Sequence, residues 1–236
     1  MGSRVSFKAV RVGAGVLGLA LAVSACGGQM KMGAAATFSD GRISNASLDD
    51  DVNTWTKEFF KTPTAGQLRK QAESQSQSGD LPYDPTSPTR TLLNWLVSFK
   101  VWDEVAAEQK ITVTAAQVDN AVQAKGGQRW LDVVPLALGM PKSDGRTYMR
   151  MLIIEQSVYQ AAGLPSDEQA QSQLTQQQAT AIALRVRSVV GPATRALKVD
   201  VNPRYGSYPL LATAGQPAYR LSKPDPGLSG SSALGG

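Results

Sequence analysis

The sequence predicts a mainly α-helical fold, and two observations lead to this prediction. Between about residues 45 and 189, apolar residues recur at intervals of three and four positions, the spacing that places them on one face of a helix. Several of these periodic segments begin at a capping residue and stop at glycine or proline. Stretches with strand character are short and lie at the two ends of this region: residues 35–38, 42–44 and 198–201.

The first helix is predicted from residue 45 to about residue 61. Ser44 or Asn45 can cap it. Its apolar face repeats over three turns, at Leu48, Val52, Trp55 and Phe59. Aspartates occupy positions 49–51, in early turns where negative charge suits the helix dipole. Consecutive residues point in different directions around a helix, so these three carboxylates cannot converge on one cation, and no metal site is expected.

The next segment, residues 62–89, is expected to be a loop insertion. It contains four prolines and a polar run of glutamine, serine and glycine at positions 75–79. A short helix near residues 68–74 is compatible with its pattern, and the remainder is expected to be loop.

The helix predicted at 90–110 is strongly apolar. Its first half is hydrophobic almost all round, as expected for a helix that is buried in a bundle or covered by a partner. We therefore expect Trp95 and Trp102 in the core. The alternative is that these rings line a cleft for apolar segments of another protein.

Shorter helices are predicted downstream from capping signals. Thr114 and Gln117 form a capping box that opens a helix ending at the glycines 126–127. Two further helices are predicted at 128–138 and 143–162.

A second capping box is predicted at Ser166 and Gln169. It would open a glutamine-rich helix running to about residue 189 and ended by the Gly-Pro pair at 191–192. From residue 207 to residue 236 the chain is rich in proline, glycine and serine, which predicts a flexible C-terminal tail.

The first 25 residues have the pattern of an export signal. Three basic residues precede a short apolar run at 12–23, whereas a membrane-spanning helix needs about 20 apolar residues. Small residues then precede Cys26, the only cysteine in the chain. This pattern resembles the bacterial lipobox, which implies cleavage between Ala25 and Cys26 and attachment of lipid to the Cys26 thiol. The alternative is an ordinary secretory signal with a chance cysteine.

These features divide the chain into a signal peptide (1–25), a lipidated tether (26–34), a helical domain (35–206) and the tail (207–236). Lipidation implies a location on the outer face of the bacterial cytoplasmic membrane. Two or three acyl chains, such as palmitate, would anchor the protein stably, whereas a single chain gives marginal binding.

The charge of the chain gives no indication of nucleic-acid binding. The first 25 residues hold three of the 24 basic residues and none of the 19 acidic ones. The 211 residues that remain after cleavage therefore carry 21 basic and 19 acidic residues, a net charge near +2, with no clustered basic stretch. With a single cysteine no disulfide can form within the chain, so the fold must rest on apolar packing.

The sequence contains no histidine. This removes Ser-His-Asp and Cys-His sites, His-ligated metals and histidine as a general base. Chemistry based on carboxylates or lysines survives, but the acids are scattered or lie at helix starts. We therefore expect no enzyme activity, no catalytic residue, no metal or cofactor site and no small-molecule substrate.

The order of elements is similar to that of the N-terminal domain of SurA-type periplasmic chaperones. The motifs that carry the resemblance are KITVTAAQV at 110–118 and the closing VNPRYG at 201–206. With the lipobox, they resemble the small actinobacterial lipoproteins that carry this domain alone. The resemblance covers about 35–206. It implies a small two- or three-stranded sheet that pairs the first and last strands, and binding of unfolded or newly exported proteins.

Related foldases add a parvulin-type prolyl isomerase domain of about 90 residues, usually with active-site histidines. This chain has neither the length nor the histidines for it, so the resemblance implies holding without isomerase activity. A chaperone-like lipoprotein is the first hypothesis. The second is a structural or adaptor lipoprotein that docks one specific envelope partner. Neither hypothesis identifies client-binding residues from the sequence.

Substituting Cys26→Ser is expected to abolish lipidation, because a serine hydroxyl is a far weaker nucleophile than a thiolate. The measurement is metabolic labelling with a palmitate analogue, followed by membrane fractionation. Labelling of the Cys26→Ser chain at the wild-type level would contradict the predicted anchor.

Overall fold

A computed structural model describes residues 33–75, 81–207 and 221, and it confirms the predicted mainly helical fold with a small sheet. The strands are β1 (Ala34–Phe38), β2 (Gly41–Ser44) and β3 (Asp200–Val201). The helices are α1 (Asn45–Phe60), α2 (Pro63–Gln75), α3 (Pro88–Glu108), α4 (Ala115–Ala124), α5 (Gln128–Leu138), α6 (Gly145–Ala161), α7 (Glu168–Ser172) and α8 (Gln176–Leu197). Short 3-10 turns lie at Lys142–Asp144 and Pro203–Tyr205.

The sheet has the antiparallel order β2-β1-β3, so the first and last strands pair as expected. Ala36 lies opposite Val201, and Thr37 lies opposite Asp200. The two-residue turn after Phe38 returns the chain into β2. The alanines of β1 are buried, since small side chains let this central strand lie against the helices.

Helix α3 lies at the centre of the domain. It packs against α1, α6, α8 and strand β1. Nine of its apolar side chains are buried: Leu92, Leu93, Trp95, Val97, Phe99, Val101, Trp102, Val105 and Ala106. The expectation that Trp95 and Trp102 belong to the core is therefore confirmed.

The capping box predicted at Thr114 is present. The Thr114 hydroxyl accepts from the backbone N–H of Gln117, and the Gln117 side chain accepts from the backbone N–H of Thr114. Helix α5 ends as predicted at Gly139, whose φ of +89° favours glycine. The first helix is capped by Ser44, one of the two predicted candidates.

The second predicted capping box, at Ser166 and Gln169, is wrong. Asp167 caps the short helix α7, which ends after five residues. The capping box of the long helix is formed instead by Thr175 and Gln178. Both Ser166 and Thr175 stand three residues before a glutamine, so the spacing alone could not choose between them.

The Gly-Pro pair at 191–192 does not end α8, which continues to Leu197. Buried residues recur across the proline at helical spacing: Ile182, Val186, Val190, Ala193 and Leu197. Pro192 itself is exposed, so the carbonyl that loses its helical donor is on the solvent side. Burial of the opposite face offsets the missing hydrogen bond.

The predicted insertion contains a helix longer than expected. Helix α2 covers 63–75, whereas only 68–74 was expected to be helical. Pro63 is the first residue of this helix, where proline costs no hydrogen bond. A proline at this position therefore does not indicate a loop. Ala65 is fully buried in a small cluster with Trp55 and Leu136, which holds α2 against α1 and α5.

The position of the capping box gives a direct stability test. Thr175→Ala is expected to lower the free energy of unfolding by about 1 kcal/mol, because an N-terminal N–H of α8 loses its acceptor. Ser166→Ala is the matched control and is expected to change it by less than about 0.5 kcal/mol, as at an ordinary surface position. Urea denaturation of both variants measures the difference. A larger loss for Ser166→Ala would contradict the observed caps.

Candidate functional site

The closing VNPRYG motif ties the two ends of the domain together. The backbone N–H of Asn202 donates to the Ala35 carbonyl (2.9 Å), and its side-chain amide donates to the Ala34 carbonyl (3.2 Å). The Asn202 side-chain oxygen accepts from the backbone N–H of Arg204 (3.2 Å) and caps the turn that follows. The motif uses asparagine as donor and acceptor at once, which gives it a structural role.

Arg90, in the first turn of α3, fixes both this motif and part of the tail. Its Nε donates to the Tyr205 carbonyl (2.9 Å), and its Nη1 pairs with Asp84 (2.5 Å). Its Nη2 donates to the carbonyl of Leu221 (3.3 Å), whose N–H donates to Asn94 (3.1 Å). Leu221 is buried, so this residue of the predicted tail is held on the domain.

Three of the four tryptophans belong to the interior: Trp55, Trp95 and Trp102. The indole N–H groups of Trp55 and Trp95 donate to backbone carbonyls of α5 at 2.9 and 3.0 Å. Trp130 differs, since it is only half-buried. Its ring stacks on Tyr148 with 6.1 Å between ring centroids. Of the four rings, Trp130 is therefore the one placed to contact a ligand.

Trp130 lines an open groove of about 350 Å³ between α2 and α5, which we call the α2–α5 groove. One wall is a single face of α2, formed by Thr64, Gln67, Leu68 and Gln71. The opposite wall is formed by Arg129, Trp130, Val133 and Val134 of α5, with Lys125 and Gly126 from the turn before it.

The chemistry of the groove is apolar at its centre and positive at one end. Leu68, Trp130 and the two valines supply apolar surface, and Leu68 is 38% exposed. Lys125 and Arg129 lie where α5 begins, so their charges add to the positive end of the α5 dipole. None of the lining residues is acidic.

The groove could not be predicted from the sequence. Its α2 wall has helical spacing, but it falls in the segment that was expected to be mostly loop. The side chain that holds this wall in place is Arg69. Its guanidinium lies 4.1 Å from the ring centroid of Tyr83 and 5.7 Å from that of Trp55. Its Nε also pairs with Glu73 (3.3 Å). An arginine stacked on aromatic rings in this way has no local sequence signature.

Two carboxyl groups outside the groove have raised pKa values. Burial raises the pKa of Glu155 on α6 from 4.5 to about 7. Burial also raises the pKa of Asp144 from 3.8 to about 6, with smaller contributions from the charges of Asp51 and Glu58. Glu58 accepts a hydrogen bond from the backbone N–H of Lys142 (2.9 Å).

Ala25 and Cys26, the predicted cleavage and lipidation residues, lie outside the described residues. Within 33–75 and 81–207, none of the helices has the length and apolar character needed to span a bilayer. Over the same part of the chain, no cluster of three or more acidic residues is arranged to hold a metal ion.

Comparison with known proteins leaves the resemblance to SurA-type domains as a prediction. No known protein family, curated protein or solved structure matches this chain.

The raised pKa of Glu155 predicts how stability depends on pH. Between pH 4.5 and about 7 the folded protein retains a proton that the unfolded chain releases, so the free energy of unfolding falls as pH rises through this window. Glu155→Gln is expected to flatten the fall between pH 6 and 7 and to raise Tm at pH 8. Glu108→Gln, at an exposed position on α3, is the control and should keep the wild-type slope. The measurement is thermal denaturation across this pH range. If both variants behaved like wild type, Glu155 would not be the cause of the fall in stability.

Proposed function

We propose that this protein is a lipid-anchored, chaperone-like lipoprotein that holds unfolded or newly exported proteins outside the cytoplasmic membrane. The proposal includes no isomerase activity. Its sequence support is the lipobox at Cys26 and the resemblance to SurA-type domains over 35–206. The structural observation on which it depends is the α2–α5 groove.

The dimensions of the groove suit a short segment of polypeptide. A volume of about 350 Å³ is at the lower end of the range for ligand pockets, and it accommodates a few side chains rather than a folded domain. The groove is open, and its apolar surface is contributed by Leu68, Trp130, Val133 and Val134. Hydrophobic contact is not directional, so such a site would tolerate many sequences and bind each one weakly.

The anchor would hold the domain close to the membrane surface. Strand β1 begins at Ala34, eight residues after Cys26. A fully extended chain spans about 3.5 Å per residue, so the domain would begin within roughly 30 Å of the lipidated residue. The domain would therefore stay near the membrane surface from which exported segments emerge.

The alternative function is an adaptor that docks one specific envelope partner. The observation that favours it is Phe60, which is 79% exposed at the end of α1. Aromatic residues are enriched at protein–protein interfaces relative to the rest of the surface, so Phe60 is the residue at which such a contact would be tested first. Crosslinking in intact membranes separates the two functions, since one stoichiometric partner supports the adaptor and many substoichiometric partners support the chaperone.

The proposed function predicts that a charge placed in the groove abolishes holding activity. Val134→Asp is expected to remove the ability of the full chain to suppress aggregation of an unfolding client, because it buries a carboxylate against apolar surface. Leu184→Asp is the matched control: Leu184 is an exposed apolar residue on α8 (58%), outside the groove, and this variant should retain suppression. Leu68→Asp tests the opposite wall at a position that tolerates charge more readily.

Light scattering of the client measures the effect at a several-fold molar excess of each variant. Circular dichroism verifies that the variants are folded. The absence of suppression by the wild-type chain would overturn the proposed function. Equal suppression by wild type, Val134→Asp and Leu68→Asp would overturn the assignment of the groove.

A further inference from the structure

We propose that the α2–α5 groove prefers extended apolar segments that carry an acidic side chain, whose carboxylate is received by Lys125 and Arg129. This inference rests on the proposed function and names the class of peptide that the same groove selects.

The two cations lie at one end of the apolar surface. Lys125 follows the last residue of α4, and Arg129 is the second residue of α5. Both side chains are exposed. Trp130 and Val133 extend the wall from this point along α5. A peptide lying along α5 therefore meets positive charge at one end and apolar surface over the rest of its length.

The acidic residues of the surrounding helices are engaged elsewhere. Asp132, the only acid of α5, accepts from Gln128 (3.1 Å) and lies 3.7 Å from the ammonium group of Lys142. Glu73, the only acid of α2, pairs with Arg69.

The acid of α4 is engaged in the same way, since Asp119 pairs with Arg146 of α6. Neither Lys125 nor Arg129 forms an ion pair with any residue in the described ranges. The positive end of the groove is thus left for a carboxylate supplied by a ligand.

A third positive contribution comes from the start of α5. Gly127 occupies the capping position, with a φ of +63°, and it has no side chain to accept from the first N–H groups of the helix. These groups and the two cations lie at the same end of the groove. The N–H of Trp130 already donates to the Gly127 carbonyl (3.1 Å), so the contribution of the helix start is the positive end of its dipole.

The opposite wall fits an extended backbone. Gln67 and Gln71 are one helical turn apart on α2, and both are exposed. Their side-chain amides form no hydrogen bond with another described residue. Each amide can donate to a carbonyl and accept from an N–H, so this wall can bind the main chain of a peptide whatever its sequence. The charge preference would then be the main source of selectivity.

The experiment compares two fluorescent peptides that differ at one position. Both are seven-residue apolar peptides with blocked ends, and one carries a central Glu where the other carries Gln. The protein is the full chain as purified from the cells that express it. Fluorescence anisotropy at low ionic strength is expected to show about fivefold tighter binding of the Glu peptide, the effect of two exposed charge pairs. The preference should decrease as salt is added.

The double variant Lys125→Gln/Arg129→Gln is expected to lose this preference, so that it binds the Glu and Gln peptides with equal affinity. The matched control is Lys57→Gln/Arg195→Gln, which removes two exposed cations that do not line the groove. It should retain the fivefold preference. Arg129→Glu is expected to reverse the preference toward a peptide with a central Lys.

The outcomes separate this inference from the function on which it rests. Equal binding of the Glu and Gln peptides by wild type would overturn the charge preference and leave the proposed function standing. Binding of neither peptide would overturn both. A preference that survives in the double variant would show that other residues receive the carboxylate, and it would overturn the assignment to Lys125 and Arg129.

Discussion

The rest of the structure depends on the burial of the first half of α3, residues 88–99, none of which is exposed. A helix that is apolar almost all round is stable in water only when other elements cover it on every side. Here α1, α6, α8 and β1 provide that cover, and Trp102 in the middle of α3 is fully buried. Strand β1 covers α3 only because it pairs with β3, so the end of the domain must pack beside its beginning. The VNPRYG motif joins the two ends of the domain. Arg90 of α3 donates a hydrogen bond to the carbonyl of Tyr205, near the end of this motif.

The α2–α5 groove lies outside the main core around α3, and this position explains why it can remain open. Helix α2 and helix α5 share a small cluster of their own, built on Trp55 and Ala65, next to the main core. The α2 wall is held in place by the burial of that cluster and by the stacking of Arg69 on aromatic rings. Neither contact brings α2 across the open side of the groove. Trp130 is supported from behind by Tyr148, which in turn contacts Trp95 edge to face at 5.2 Å. The groove is therefore backed by rigid core.

The elements that could be predicted from the sequence are those with a local cause. Helical spacing identified α1, α3 and α5, and the hydroxyl of Thr114 three residues before Gln117 identified the start of α4. The predicted helix boundaries were wrong where tertiary packing, and not local sequence, determines the structure. Pro192 lies within α8 because the buried face continues on both sides of it, and Pro63 begins a helix where it was expected to mark a loop. The groove was missed for the same reason, since its two walls come from segments about 60 residues apart.

The sequence contains no histidine, which removes histidine-based catalysis, and its near-neutral charge gives no indication of nucleic-acid binding. A site made of leucine, valine and tryptophan offers contact area without chemistry, so its selectivity must come from its rim. The rim has amides on one side and two cations on the other, and the proposed preference for an extended segment with one acidic side chain is based on this arrangement. The long α8 and the closing motif have no part in it. The proposed function therefore rests on a groove about as large as a few side chains, whose walls are held by the small cluster of Trp55, Ala65 and Leu136 and by the stacking of Arg69.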